Sequence, residues 1–175
     1  MEASSLRTWY LFPVVICFLV TGCSALNQPD YSLLVHVPAG RVEKVKDAIK
    51  HSEIANVQLP TEFPYPVDNA NVPNNYFSLP PHHFDIYIGN NSHIIVITIQ
   101  NAPQNAVVSK SSVDMQGESR TKLTNGTPAL YGKSESVSQL AWDKNGVSYT
   151  ISSTTEHNKP DLTEQQLVNV ADSFK

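Results

Sequence analysis

Two adjacent histidines, His82 and His83, with Asp85 two positions on, are the residues whose types most readily suggest a metal site. Imidazole nitrogens and carboxylate oxygens bind zinc and related ions, but they must converge on one point. Successive side chains on an extended segment leave opposite faces, so a His-His pair does not converge. His36, His51, His93 and His157 have no i, i+4 partner and no cysteine partner. The histidines are therefore expected in loops or facing solvent, and neither a metal nor another cofactor is expected. Nucleophilic catalysis needs a hydroxyl or thiol beside a placed base and an oxyanion hole, and no Gly-x-Ser-x-Gly elbow is present. Glycoside cleavage needs two facing carboxylates. Glu53, Glu62, Asp68, Asp85 and Asp114 are available, but nothing in their spacing pairs them. A Gly-rich phosphate loop is also missing. No catalytic residue is assigned, and the expectation is a protein that is not an enzyme.

One cysteine does have an evident use. Tyr10 to Val20 is an apolar run of eleven residues, the length of a secretory signal core and too short to span a bilayer. It ends in Val20-Thr21-Gly22-Cys23, which resembles a bacterial lipobox. An aliphatic residue and small residues let the signal peptidase reach the scissile bond, and only a thiol can form the thioether to diacylglycerol. The segment before the run is weakly basic, with Arg7 set against Glu2. Of the two cysteines, Cys17 lies inside the apolar run and would leave with the signal. The mature chain would then carry Cys23 alone, which rules out a disulfide framework. Two acyl chains suffice for stable anchoring where one does not. The expected order is a signal peptide over 1–22, a polar tether over 23–30 and one domain over 31–175. The expected place is the extracytoplasmic face of the cell membrane, with the protein held there as a palmitate-type lipoprotein.

Composition bounds what such a domain recognises. Only 16% of residues are charged, while 51 are Asn, Ser, Thr or Gln. The formal net charge is −4, and Lys and Arg are scattered. Nucleic-acid affinity rests on concentrated positive charge, so nucleic acid is excluded as a partner. An apolar content of 41% is enough for a core and argues against disorder.

The elements that would position these side chains follow from periodicity. Tyr31 to Val37 alternates loosely and predicts a strand ended by Pro38. Val42, Val45, Ala48 and Ile49 share a helical face and predict a helix over Gly40 to Ile54. Three prolines between Pro60 and Pro66 predict an extended stretch, and Asp68 to Pro81 reads as an Asn/Pro loop. Tyr65, Tyr76 and Phe77 fall on or beside that loop, where rings serve either as caps over the core or as an exposed binding surface. Phe84–Ile88 and His93–Gln100 predict a hairpin across Gly89 to Ser92. Ile94 to Ile97, apolar at consecutive positions, predicts a central strand covered on both faces. Asn125-Gly126 joins a second strand pair, Arg120–Leu123 and Pro128–Tyr131. Asp143 to Gly146 joins a third, Val137–Trp142 and Val147–Ser152. Asn90-Asn91-Ser92 and Asn125-Gly126-Thr127 match a glycosylation pattern, but both read as turn chemistry. Thr163 with Gln166 makes a capping box, and Leu167, Val170, Ala171 and Phe174 form the apolar face of a C-terminal helix. The fold class is α+β: an antiparallel sheet of five to seven strands with an N-terminal and a C-terminal helix packed against it.

Leu140 to Ser152, with its Trp-x-x-x-Gly-Val-x-Tyr hairpin, and Leu162 to Phe174, with its Leu-Thr-x-x-x-Leu helix, resemble the end of a known family. These are exported domains of unknown function from Gram-positive bacteria, found in lipoproteins and in the outer portions of anti-sigma-like membrane proteins. Leu59 to Pro64 resembles that family's Leu-Pro segment. The resemblance implies an envelope location and no catalytic residues. Trp142 and Tyr149, on the two arms of one hairpin, are expected to form a cross-strand aromatic pair.

The expectation for function is a lipid-anchored, non-catalytic envelope protein that binds or senses a partner protein or a cell-wall component, its ligand-binding residues unknown. An amphiphile carrier and, after it, a wall-polymer hydrolase are the alternatives.

Overall fold

The computed structural model describes residues 28–73, 83–102 and 118–175. Residues 31–37 form a short 3₁₀ turn, Ser32–Leu34, in place of the expected strand. The Asp30 carboxylate accepts from the Ser32 N–H at 2.8 Å and starts the turn. The buried positions, Leu34 and Val37, lie three apart, a turn's spacing rather than a strand's.

Helix α1 spans Ala39–His51, directly after Pro38. Its buried residues are Val45 and Ala48, with Val42 and Ile49 partly buried beside them. It ends three residues before the expected boundary. Ser52 donates from its hydroxyl to the Ile49 carbonyl, and Glu53 turns the chain at φ 56°.

Among the described residues seven strands follow: β1 (Asn69–Asn71), β2 (His83–Gly89), β3 (His93–Asn101), β4 (Ser119–Lys122), β5 (Pro128–Lys133), β6 (Ser138–Lys144) and β7 (Val147–Thr155). They form one antiparallel sheet in the order β1-β2-β3-β7-β6-β5-β4. Two meanders, β1–β3 and β4–β7, are thus zipped together by β3 and β7, in register from His93↔Thr155 to Asn101↔Val147. The edge strand β1 lies within what the sequence predicts to be loop.

The turns match their residues. Asn145 and Gly146, at φ 53° and 81°, make a two-residue reversal between β6 and β7. Asp143 and Lys144, expected in that loop, extend β6 and pair with Ser148 and Val147. Gly126 at φ 85° permits the Leu123–Thr127 turn between β4 and β5. In both the β2–β3 and β4–β5 turns an asparagine Oδ1 accepts backbone N–H groups, Asn90 from Ser92 and His93, and Asn125 from Thr127.

The core lies on one side of the sheet. On β3, Ile95, Ile97 and Ile99 are fully buried, whereas Ile94, Val96 and Thr98 are half-buried. The strand is central, but its two faces are not equally covered: the buried residues of both helices join the cluster of Ile95, Ile97 and Ile99. Helix α1 lies against β1 and α2 (Glu164–Asp172) against β6. Thr163 caps α2 with the expected capping box, its hydroxyl accepting from the Gln166 N–H. Trp142 and Tyr149 are cross-strand partners stacked at 5.3 Å, and Phe174 meets both edge-on at 5.0 and 5.1 Å. The segment Leu59-Pro60-Thr61 lies along the C-terminus: Lys175 N–H donates to Leu59 O at 3.1 Å and Thr61 N–H to Ser173 O at 3.2 Å. The Leu-Pro segment therefore serves as a clamp on the end of the chain.

Candidate functional site

The face of the sheet turned away from the core carries mostly hydroxyl and amide side chains. Many of them bond to one another across strands. Thr98 donates to Asp85 at 2.6 Å, Gln139 to Ser152 at 3.0 Å, and Ser148 to Asp143. These pairs satisfy each other and make a polar, largely uncharged surface over the strands.

At the β1 edge the same face opens into a groove of about 280 Å³. Register builds it. Asn69 and Asn71 oppose Gly89 and Tyr87, so two amides, a ring and a glycine lie side by side. Tyr87 is 37% exposed, one of two large apolar side chains so placed among the described residues. Asn90 and Ile94 line the far end, and Arg41 reaches the groove from α1, donating to the Ala70 carbonyl at 3.4 Å. Gly89 is needed for the floor: a Cβ there would lie 2.0 Å from the His93 carbonyl oxygen. The Asn90 amide is committed to structure, since its Nδ2 donates to Pro66 O at 3.0 Å and its Oδ1 holds the turn. Among the described lining residues Arg41 is the one Lys or Arg, no Asp or Glu is present, and His93 is held by Asp161 outside the groove's lining.

Behind the turn, on the core side, three distant residues meet. His93 Nδ1 donates to both Asp161 oxygens, at 2.9 and 3.0 Å. The Tyr65 ring stacks on the imidazole at 4.2 Å, and Phe63 stacks on Tyr65 at 6.1 Å. Ser153, fully buried, donates to Asp161 at 3.5 Å. Burial pushes the Tyr65 hydroxyl well above its ordinary range, and the nearby Asp161 charge adds to that. This is a clasp joining the Leu-Pro segment, the β2–β3 turn and the loop before α2. His93 is thus not a loop histidine facing solvent. Its side chain is 34% exposed and its partner Asp161 only 10%. The residues stand 28 and 68 positions from His93, so no local spacing announces them.

The residues singled out in the sequence scatter. Val20, Thr21, Gly22 and Cys23 lie outside the described residues, as do Tyr76, Phe77, His82 and Asp114. His83 opens β2, while Asp85 is bonded to Thr98. Glu62 borders a shallow cleft with Phe63, Pro64 and α2. Among the described residues no three of His, Cys, Asp and Glu come together as a metal site, and no helix is long and apolar enough to cross a membrane. Tyr65 is half-buried in the clasp and is not an exposed loop ring. Trp142 and Tyr149 are buried and line no surface.

Neither a curated protein nor a solved structure matches the chain. A family match does exist, running from Glu62, beside the C-terminal clamp, to Ser173 at the end of α2, and so covering the whole sheet. Over residues 62–173 the chain belongs to a family described as a domain of unknown function, DUF4367.

Proposed function

We propose that this protein is a lipid-anchored component of the cell envelope whose domain binds or senses, without catalysis, a partner protein or a cell-wall component. In this reading residues 1–22 are a lipoprotein signal, Cys23 carries the diacylglyceryl thioether, and residues 31–175 stand on the extracytoplasmic face. The observation that carries it is the edge groove, where an exposed ring, two amides with no bond to the protein among the described contacts and a cation share one opening. Such a set suits a polar ligand, and the one imidazole among its described lining residues, His93, is held by Asp161. Beside the His93–Asp161 pair, the Ser153 hydroxyl is buried and already donates to the carboxylate.

An amphiphile carrier would need an apolar space under the sheet. That side is filled by Trp142, Tyr149, Phe174 and the isoleucines of β2 and β3, which speaks against the carrier. Metabolic labelling with a clickable palmitate tests the anchor. The full chain should label and fractionate with membranes, and Cys23→Ala should lose both. A Cys23→Ala chain that still labels would overturn the lipoprotein assignment.

A further inference from the structure

We infer that the β1-edge groove is a subsite for a sugar that bears a carboxylate, with the Tyr87 ring as its platform, Asn69 and Asn71 as its hydroxyl partners and Arg41 as the partner of the acid. The inference rests on the envelope-binding reading and names its ligand class. A pyranose has one face made of C–H groups and a rim of hydroxyls. An exposed aromatic ring receives the C–H face at low entropic cost, because only two torsions need be fixed. Hydroxyls both donate and accept, and an asparagine amide offers one acceptor and two donors in a single plane. Asn69 and Asn71 are placed on the same face as Tyr87 by the register Asn69↔Gly89 and Asn71↔Tyr87. Gly89, opposite Asn69 on β2, supplies no side chain, and the His93 backbone closes over it to form the floor beside the ring.

Charge separates an acidic sugar from a neutral one. Arg41 makes one long contact, 3.4 Å to the Ala70 carbonyl, through Nη1. Its guanidinium has five N–H donors in a fixed fork suited to a carboxylate. The described lining residues carry no acid to compete with it. In a chain of net charge −4, a cation facing an opening without acids favours an anionic ligand. The competing occupant is a peptide strand added to the edge. Strand β1 has three residues, and Arg41 already donates to the carbonyl at its centre, so little ladder is left for a peptide to use.

The test is a titration followed by ¹H–¹⁵N spectra of the full chain in a detergent without a sugar headgroup. The two probes are N-acetylmuramic acid and N-acetylglucosamine, which share a ring and differ in the lactyl carboxylate. Both should shift amides of β1 and of the β2–β3 turn, the acid binding about tenfold more tightly, equivalent to about 1.4 kcal/mol. Tyr87→Ala should abolish both responses, and Arg41→Gln should bring the acid to the level of the neutral sugar. Asn71→Asp, which keeps size and adds a like charge, should remove the acid's advantage; the buried Trp142 signal reports that each variant is folded. Shifts absent from the groove, or an advantage that survives Arg41→Gln, would overturn the assignment. Cosedimentation with purified wall sacculi separates the two levels of the argument. If Tyr87→Ala still pellets with the wall, the envelope reading stands and the groove assignment falls. If the unaltered chain neither pellets nor finds an envelope partner by crosslinking, both fall.

Discussion

Tyr149 shows how a single side chain ties packing to chemistry in this domain. Its ring stacks on Trp142, while its hydroxyl accepts from the Gln58 N–H at 2.9 Å and donates to the Asn56 carbonyl. Burial pushes its pKa to about 12, and the Gln58 N–H, which favours the phenolate, pulls the other way. The folded pKa therefore lies above the value of about 10 in an unfolded chain. Between those values the folded state keeps a proton that the unfolded state has lost. The stabilisation is complete below about pH 10 and falls as pH rises, by about 1.4 kcal/mol per pH unit for each such tyrosine. Urea unfolding at pH 9, 10 and 11 should show that decline, with a shallower slope for Tyr149→Phe; an identical slope would contradict it. The His93–Asp161 contact gives a second test. Asp161→Ala removes two charge-assisted bonds and the acceptor of the buried Ser153 hydroxyl, at a cost of about 1–3 kcal/mol. Unchanged urea midpoints would show that the clasp is only incidental. The aromatic pair of Trp142 and Tyr149 is legible in the sequence because a short turn fixes which residues face each other. The clasp is not legible, because Tyr65, His93 and Asp161 meet only once the sheet is complete.

Among the elements, those with local causes match the sequence best. Helix α2 has its cap, its periodic apolar face and its boundaries written within 12 residues, from Thr163 to Phe174. The hairpins have Asn-Gly or Asn-rich turns whose backbone demands are local. The failures are also physical. Strand β1 is a three-residue Asn-Ala-Asn edge with no apolar run; it is a strand because β2 lies beside it. Residues 31–37 have strand-like composition but pair with no strand among the described residues, and they turn instead. The β2–β3 hairpin yields the prediction at this scale. At Gly89 a Cβ would meet the His93 carbonyl oxygen at 2.0 Å, and the next atom it meets is also backbone. Gly89→Ala should therefore force the turn apart and lower stability by about 1–3 kcal/mol. Hydrogen exchange should locate the loss in β1 and the start of β3, and a variant with native exchange rates there would refute the close approach.

For the molecule as a whole, the fold class is readable from alternation and helical periodicity. The consecutive apolar run Ile94 to Ile97, however, reads as a strand covered on both faces, and the core lies on one. The order of strands is not readable. Pairing β3 with β7 brings together segments some 50 residues apart, and such pairing follows from the total burial it achieves rather than from any motif. The edge groove inherits that difficulty, since Arg41, Asn69, Asn71 and Tyr87 come from three elements. The account rests on that groove facing the envelope outside the membrane. Placing an aromatic photo-crosslinking residue, which keeps a ring, at position 87 of the full chain in living cells tests this most directly, with the same residue at the exposed helical position 47 as reference. The account predicts adducts with cell-wall material or an envelope protein from position 87, well above those from position 47. Adducts with cytoplasmic proteins, or equal yields from the two positions, would contradict it.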